Sequence, residues 1–287
     1  SPRIQRDEEP GAAARDEKRA QAFEAAKKAA LAELAEVEGD LAHEIERALD
    51  ETGLTLTSFI VEPRRSLVDP AEHTEFLTAV RESLQPAKRL RCPYLIVASG
   101  FTMPEKPRAA HHAAMVGALK QAADMAAEAG VALILEPLND KVDHPGMYLV
   151  SVSEGLDVVE EVASPALKLI YDGYHSSVMG DPPTVLRGRM NGVAHVQIAD
   201  MPGRGAPGTG KIDWAPLMRT LSEGGYTGAI GLEAISRGAR LLVLALVGVA
   251  LVLAGLYPLV PYFGLGMVMA ATAPDRVAGL CLNDVGP

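Results

Sequence analysis

The sequence is poor in cysteine, in aromatic side chains and in positive charge. It has two cysteines and one tryptophan among 287 residues, and aromatic residues make up 5%. Cys92 and Cys281 show neither a metal-ligand spacing nor a disulfide framework, which favours a reducing compartment and predicts a cytoplasmic protein. The formal net charge of −10 argues against a nucleic-acid partner, because binding to phosphates requires clustered lysine and arginine.

Short apolar runs that end at oxygen-bearing side chains are the main pattern in the sequence. With 48% hydrophobic residues, the chain can fill the core of a barrel-sized domain. Runs with β-branched residues, separated by helical stretches, are typical of parallel strands in βα units, and the carboxyl ends of such strands meet at one face of a barrel. The runs cover residues 131–135, 167–171, 193–197 and 229–232, and the side chains at or beside their ends are Glu136, Asp172, Gln197 and Glu233.

The order of elements predicts an α/β fold of the (β/α)8 TIM-barrel type that is incomplete. Six strand–helix units are recognisable, with strands that begin near residues 54, 94, 131, 167, 193 and 229. Helices are predicted over about 41–50, 70–90, 107–129, 153–162, 184–190 and 214–223. A closed barrel needs eight strands. Residues 1–40, where two further strands would be expected, are charged and alanine-rich and predict a helical extension instead.

Two adjacent histidines, His111 and His112, lie near the start of the helix predicted over 107–129. Neighbouring side chains on a helix point about 100° apart, so the two imidazoles cannot face one metal ion. We therefore expect both to be surface residues.

A set of short motifs runs through residues 41–233. They are Glu136-Pro137-Leu138-Asn139, Pro145-Gly146, Asp172-Gly173-Tyr174-His175, His195-Val196-Gln197-Ile198-Ala199-Asp200, Pro202-Gly203-Arg204, Pro207-Gly208-Thr209-Gly210 and Gly225-Tyr226-Thr227-Gly228 with Gly231-Leu232-Glu233. In order and spacing these motifs resemble the hydroxypyruvate isomerase family, which belongs to the xylose-isomerase-like barrel superfamily of sugar isomerases and epimerases.

The resemblance implies a (β/α)8 barrel and a metal-dependent isomerase or epimerase that acts on a small hydroxy-carbonyl compound such as hydroxypyruvate. One divalent cation, Mg²⁺, Mn²⁺ or Co²⁺, would be held by four ligands, which are Glu136, Asp172, Gln197 and Glu233. Glu136 and Glu233 would also serve as the catalytic acid and base. His175 and Arg204 would contact the substrate.

The chemistry of isomerisation requires the same kinds of group. Moving a carbonyl to the neighbouring carbon means removing a proton beside the C=O and stabilising the enediolate that results. A hard cation held by oxygen ligands offsets the negative charge, and two carboxylates can take and return the proton.

Each of these side chains also has a purely structural interpretation. Glu136 precedes a proline and by itself is typical of a solvated loop, while the Gln197 amide can satisfy a backbone group instead of a metal ion. His175 can be an ordinary packed histidine. For Arg204, which lies in a Gly/Pro loop, the functional interpretation is that its guanidinium binds a substrate carboxylate through two hydrogen bonds. His195 lies on the same side of its strand as Gln197, so it is either an interior residue of the barrel or a partner of the ligands. We include it among the substrate-binding candidates.

The sequence after Glu233 departs from the barrel pattern. Residues 241–273 contain no charged residue, and a run of this length and composition predicts a transmembrane span over 241–257, with membrane contact as far as residue 270. Arg237 and Arg240 on its amino-terminal side favour a barrel on the cytoplasmic side of such an anchor. The competing interpretation is a buried helix or strand pair that replaces missing barrel elements.

Residues 273–287 resemble a different family, since they look like the segment after the nucleophile elbow of α/β-hydrolases. The elbow would fall at residues 263–267, where Gly264 stands in the nucleophile's place, so no hydrolase chemistry is expected. We therefore assign 41–236 to the barrel and 237–287 to a separate segment, and a fused or truncated chain is one interpretation. The alternative function is accordingly a non-catalytic barrel remnant, with or without a membrane anchor. Metal-dependent cleavage of abasic DNA is disfavoured by the acidic balance and by the shortage of histidines.

Overall fold

The computed structural model describes residues 42–235 and 280–282. The chain divides into two compact units, Ser1–Glu51 and Thr52–Pro287. The described part of the first unit is helical from residue 42, as predicted, and the sheet and the candidate site belong to the second unit. The predicted extension over 1–40, the apolar run over 241–273 and the elbow at 263–267 lie outside the described residues. Within the described ranges, no helix combines the length and the apolar character that a membrane crossing demands.

The second unit is built on one parallel sheet of seven strands. The strands are β1 Leu56–Ile60, β2 Tyr94–Ala98, β3 Ala132–Glu136, β4 Leu167–Asp172, β5 Val193–Ile198, β6 Ile230–Leu232 and β7 Leu280–Leu282. Their order in the sheet is β6-β5-β4-β3-β2-β1-β7. From β1 to β6, strands that follow one another in sequence are neighbours in space, as in the wall of a TIM barrel. The six predicted strands and the incomplete barrel fold are confirmed.

Helices connect the strands. They are α1 His73–Arg89, α2 Arg108–Ala129, α3 Val152–Val162, α4 Gly173–Met179 and α5 Ala215–Glu223. The first is preceded by a 3-10 turn, Pro70–Glu72, which starts where the Asp69 side chain accepts a hydrogen bond from the Ala71 N–H. The long helix α2 ends at Gly130, whose φ of 72° closes the helix in the left-handed conformation.

One predicted helix was wrong. The helix predicted over 184–190 is replaced by two 3-10 turns, Pro183–Leu186 and Met190–Gly192, because Arg187 is extended and Gly188 has a φ of 74°. Helix α4, which was not predicted, begins directly after Asp172, because the Asp172 carboxylate caps it.

The two faces of the sheet have different roles. Ile96, Ile134 and Ile170 form a fully buried cluster on one face. Because side chains alternate along a strand, the same face carries Glu136 and Asp172, two residues beyond Ile134 and Ile170. The opposite face packs against the helices. This alternation places the acidic strand ends above an apolar layer at the inner side of the barrel wall.

Close packing between helix α3 and the sheet depends on Gly155. A Cβ atom there would lie 2.6 Å from Leu169 Cδ1 and 3.1 Å from Pro137 Cγ, and Leu169 is fully buried. We expect Gly155→Ala to lower the free energy of unfolding by about 1–2 kcal/mol, because the core must shift to admit the methyl group. Urea denaturation monitored by circular dichroism measures the effect.

Gly117 in helix α2 is the matched control, since a Cβ atom there would meet nothing within 4 Å. Gly117→Ala is expected to raise the free energy of unfolding by about 0.5–1 kcal/mol through helix propensity. Equal stabilisation by both alanines would contradict the proposed packing of α3.

Candidate active site

The four predicted ligands lie at one edge of the sheet. Glu136 and Asp172 are the last residues of β3 and β4, Gln197 is in β5, and Glu233 directly follows β6. Asp172 is paired in register with Gln197, which in turn is paired with Gly231. Glu136, Asp172 and Gln197 are buried, and the Glu233 side chain is 13% exposed. The carboxyl ends of four adjacent strands thus bring these side chains to one face.

Two of these ligands, Glu136 and Asp172, lie close to His175. One ligand atom from each lies within 4.8 Å of the others. Among the described residues, Glu136 Oε1 and Asp172 Oδ2 are buried oxygens with no hydrogen-bond partner. Buried polar atoms normally have a partner, so two such carboxylate oxygens close together fit a hard divalent cation.

The two oxygens of the Asp172 carboxylate have different partners. Oδ1 accepts the backbone N–H groups of Tyr174 at 2.6 Å and of His175 at 3.0 Å. These bonds cap helix α4 and use the hydrogen-bonding capacity of Oδ1. Oδ2 is therefore the atom left to face the site.

His175 is fixed by Asn139 in a single tautomer. Its Nδ1 accepts the backbone N–H of Asn139 at 3.1 Å, and the Asn139 side-chain nitrogen lies 2.6 Å from the same atom. Burial lowers the pKa of His175 to about 4, so the ring is neutral near pH 7. A neutral ring whose Nδ1 accepts must carry its proton on Nε2, which lies 3.9 Å from Asp172 Oδ2. His175 thus presents a donor to the site rather than a metal-binding lone pair.

Arg204 places a positive charge among the carboxylates. Its Nη2 lies 2.7 Å from Glu233 Oε1 and 3.7 Å from Asp172 Oδ2, and the Tyr174 ring lies 5.3 Å below the guanidinium carbon. Burial opposes this charge, but Glu233, Asp172 and Glu136 together raise the pKa of Arg204. The guanidinium therefore stays charged in the buried site.

Glu136 is the carboxyl group whose ionisation is most strongly opposed. Burial raises its pKa well above the ordinary value, and the neighbouring charges of Glu233 and Asp172 raise it further. Arg204 and Arg64 oppose this shift. A carboxyl group with a raised pKa holds its proton more readily than an ordinary carboxylate, which suits it to acid–base chemistry.

Two residues that organise the site were missing from the predicted set. Asn139, besides holding His175, donates to Asp143 Oδ2 at 2.6 Å. Asp200 shapes the loop that carries Arg204, because its carboxylate accepts N–H groups from Met201, Gly208 and Ile212. Both occur within the sequence motifs, but the contact of Asn139 with the distant His175 and the backbone bonds to the Asp200 carboxylate are visible only in the fold.

A cavity of about 610 Å³ adjoins the site at the ends of β1 and β2. Its lining includes Ile60, Arg64, Phe101, His144 and Met147. His144 connects the cavity with the site, since its ring lies 5.5 Å from that of His175. The cavity is large enough for a small organic acid.

A parallel α/β sheet with acidic residues at the carboxyl ends of its strands has the design of a TIM-barrel enzyme. The family model described as xylose isomerase-like TIM barrel matches residues 14–246, so the chain belongs to this family.

Relatives in this family carry the names of isomerases. The chain is 30% identical over 200 residues to 2-oxo-tetronate isomerase of Cupriavidus necator, a match that covers 67% of this chain and 76% of the relative. It is 31% identical over 170 residues to hydroxypyruvate isomerase of Escherichia coli, which covers 57% of this chain and 64% of the relative. The chain thus spans slightly less than two thirds of the Escherichia coli enzyme.

Solved structures share the fold. One from Brucella melitensis, described as an AP endonuclease of family 2, is 30% identical with a TM-score of 0.64, and the match covers 68% of this chain and 78% of that one. D-psicose 3-epimerase from Clostridium cellulolyticum has a TM-score of 0.60 at 21% identity, with 68% and 70% covered.

His195 is a buried imidazole at the inner face of β5, and neither ring nitrogen has a hydrogen-bond partner among the described residues. Burial lowers its pKa to about 4, although Asp172 opposes the shift. Below pH 6.5 the unfolded chain therefore binds a proton that the folded chain excludes, and stability falls as the pH decreases towards 4. We expect His195→Gln to remove about 3 kcal/mol from the difference in unfolding free energy between pH 7 and pH 4.

Urea denaturation at both pH values measures this difference. The matched control is His43→Gln, because the His43 side chain is 73% exposed. An unchanged pH dependence in His195→Gln would show that His195 is protonated in the folded protein.

Proposed function

We propose that the chain is a metal-dependent isomerase of small hydroxy-carbonyl acids, with hydroxypyruvate as the first candidate substrate. The observation that carries the proposal is the pair of buried oxygens, Glu136 Oε1 and Asp172 Oδ2, which have no hydrogen-bond partner among the described residues and lie beside the charged Arg204. The names of the relatives, hydroxypyruvate isomerase and 2-oxo-tetronate isomerase, support the same class of substrate.

Glu136, Asp172, Gln197 and Glu233 are the residues that would hold a divalent cation, with oxygen ligands of the type that Mg²⁺ and Mn²⁺ prefer. When bound, the cation supplies positive charge that offsets the negative charge developing on the substrate oxygens. The proposed ligand set includes Gln197 and leaves out His175, because the proton on His175 Nε2 occupies the lone pair that a metal ion would need.

Glu136 and Glu233 form the proposed acid–base pair. Isomerisation of hydroxypyruvate moves its carbonyl from C2 to C3, so one carboxylate takes a proton from C3 and a carboxylic acid returns one to C2. The raised pKa of Glu136 suits a group that changes its protonation state during turnover. Glu233 Oε1 forms an ion pair with Arg204 at 2.7 Å, which fixes the position of its carboxylate.

His175 and Arg204 position the substrate in this proposal. The Nε2–H of His175 donates to a substrate oxygen that becomes negative, as a neutral imidazole can do without changing its charge. The Arg204 guanidinium binds the substrate carboxylate, for which its planar donors are suited. His195 lies at the inner face of β5 and shapes the floor of the same site.

DNA cleavage is not proposed, although the Brucella melitensis structure is described as an AP endonuclease. The net charge is −10, and the one cluster of candidate metal ligands found among the described residues contains a single histidine. A phosphate backbone is therefore a poor match for this surface and site.

Mn²⁺ binding is the first test of the site. We expect isothermal titration calorimetry to show binding to the wild-type chain and at least about 10-fold weaker binding to Glu136→Gln, which loses a charged ligand of the same shape. Because ligands bind metal when deprotonated, affinity should also fall as the pH is lowered through the raised pKa of Glu136.

The exposed Glu105 provides the control, and Glu105→Gln should bind Mn²⁺ like the wild type. No binding to the wild-type chain, or equal binding by Glu136→Gln, would favour the alternative function, a non-catalytic barrel remnant.

Proton transfer is the second test. In D₂O with saturating Mn²⁺, the wild-type chain should introduce deuterium into hydroxypyruvate as it isomerises, followed by proton NMR. Glu233→Gln should reduce kcat by about 100- to 10,000-fold, since it removes one member of the acid–base pair. Glu223→Gln, on the exposed side of helix α5, is the control. An active Glu233→Gln enzyme would rule out this assignment of the pair.

A further inference from the structure

The Arg204 guanidinium lies within the group of carboxylates that is proposed to hold the cation. It forms an ion pair with Asp172 Oδ2, the oxygen that no hydrogen bond occupies among the described residues, and a shorter one with Glu233. Glu136 also acts on it electrostatically. Three carboxyl groups therefore face one guanidinium.

The position of Arg204 is imposed by its loop. Its φ is 54°, a left-handed conformation that residues other than glycine rarely adopt and that the surrounding structure must stabilise. The Arg204 carbonyl accepts the Ile235 N–H at 2.6 Å, and Asp200 and Gly205 exchange two backbone hydrogen bonds beside it. The side chain is consequently directed at the carboxylates by a rigid support.

Arg204 and a divalent cation would use the same oxygen. Cations of this kind contact carboxylate oxygens at about 2.0–2.6 Å. With Nη2 already 3.7 Å from Asp172 Oδ2, an ion on that oxygen would lie within about 6 Å of a second positive charge in a buried site, where repulsion is poorly screened. With all three carboxyl groups ionised, the three carboxylates and the guanidinium carry a formal charge of −2, which a divalent cation would neutralise.

We infer that Arg204 serves as the counter-cation of these carboxylates and that a divalent cation, when it binds, releases the Arg204 guanidinium from Asp172. This inference rests on the proposed function. The released side chain keeps its rigid backbone support and has an Nε–H without a partner among the described residues. It is then available to a substrate carboxylate, so the cation binds first and the organic acid second.

Mn²⁺ titration of Arg204 variants tests the exchange. Without substrate, Arg204→Gln should bind Mn²⁺ about 5- to 50-fold more tightly than the wild type, because the competing charge is gone. Arg204→Lys keeps a charge and should stay within about 3-fold of the wild type. Arg189→Gln is the surface control, because Arg189 pairs with Asp157 and Glu160 of helix α3.

Chemical labelling of the wild-type chain provides a second measurement that needs no variant. Phenylglyoxal modifies accessible arginines, and peptide mass spectrometry reports each site. Addition of Mn²⁺ should raise the labelling rate of Arg204 several-fold while leaving Arg189 unchanged.

The outcomes separate this inference from the proposed function. Wild-type binding of Mn²⁺ combined with equal or weaker binding by Arg204→Gln, or with unchanged or slower labelling of Arg204, overturns the exchange alone. Absence of binding in both proteins overturns the metal site and the exchange together. Binding by Arg204→Gln alone supports the exchange, because it shows that the guanidinium blocks the ion.

Discussion

Three carboxyl groups brought together away from solvent are the constraint on which this site depends. Glu136, Asp172 and Glu233 arrive there because parallel strands end at a common edge of the sheet. Burial of one unpaired charge is costly, and burial of three like charges is more so. The surrounding structure offsets the cost in three ways. The first N–H groups of helix α4 donate to Asp172, Arg204 pairs with Glu233, and the raised pKa of Glu136 favours its neutral form.

Local hydrogen bonds also determine which chemical role His175 and Arg204 can take. The backbone of Asn139 decides which nitrogen of His175 carries the proton, so a residue outside the substrate-facing set fixes the role of one inside it. Asp200 acts similarly on Arg204 by holding its loop. The side chains of His175 and Arg204 are thus positioned by polar contacts from Asn139 and Asp200, which lie behind them.

The sequence predicted the strands and the acidic strand ends well, because both follow from alternation and from the parallel βα pattern. His111 shows where that reasoning failed. It was expected at the surface, but it is buried, its Nε2 accepts the Met103 N–H at 3.0 Å, and its ring stacks on Tyr148 at 5.3 Å. The position of the Arg204 guanidinium between Asp172 and Glu233 was not predicted either, because hydrophobic periodicity gives no information about contacts between a loop and two strand ends.

Strand β7 has a consequence for the order in which the sheet can form. Its residues, Leu280–Leu282, pair with β1, whose own residues are Leu56–Ile60. During synthesis on the ribosome, one side of β1 keeps open backbone donors and acceptors until Leu280–Leu282 has emerged. Contacts of such high sequence separation form slowly. The nascent barrel wall is therefore most exposed to pairing with foreign strands at β1, the first of the described strands to be made.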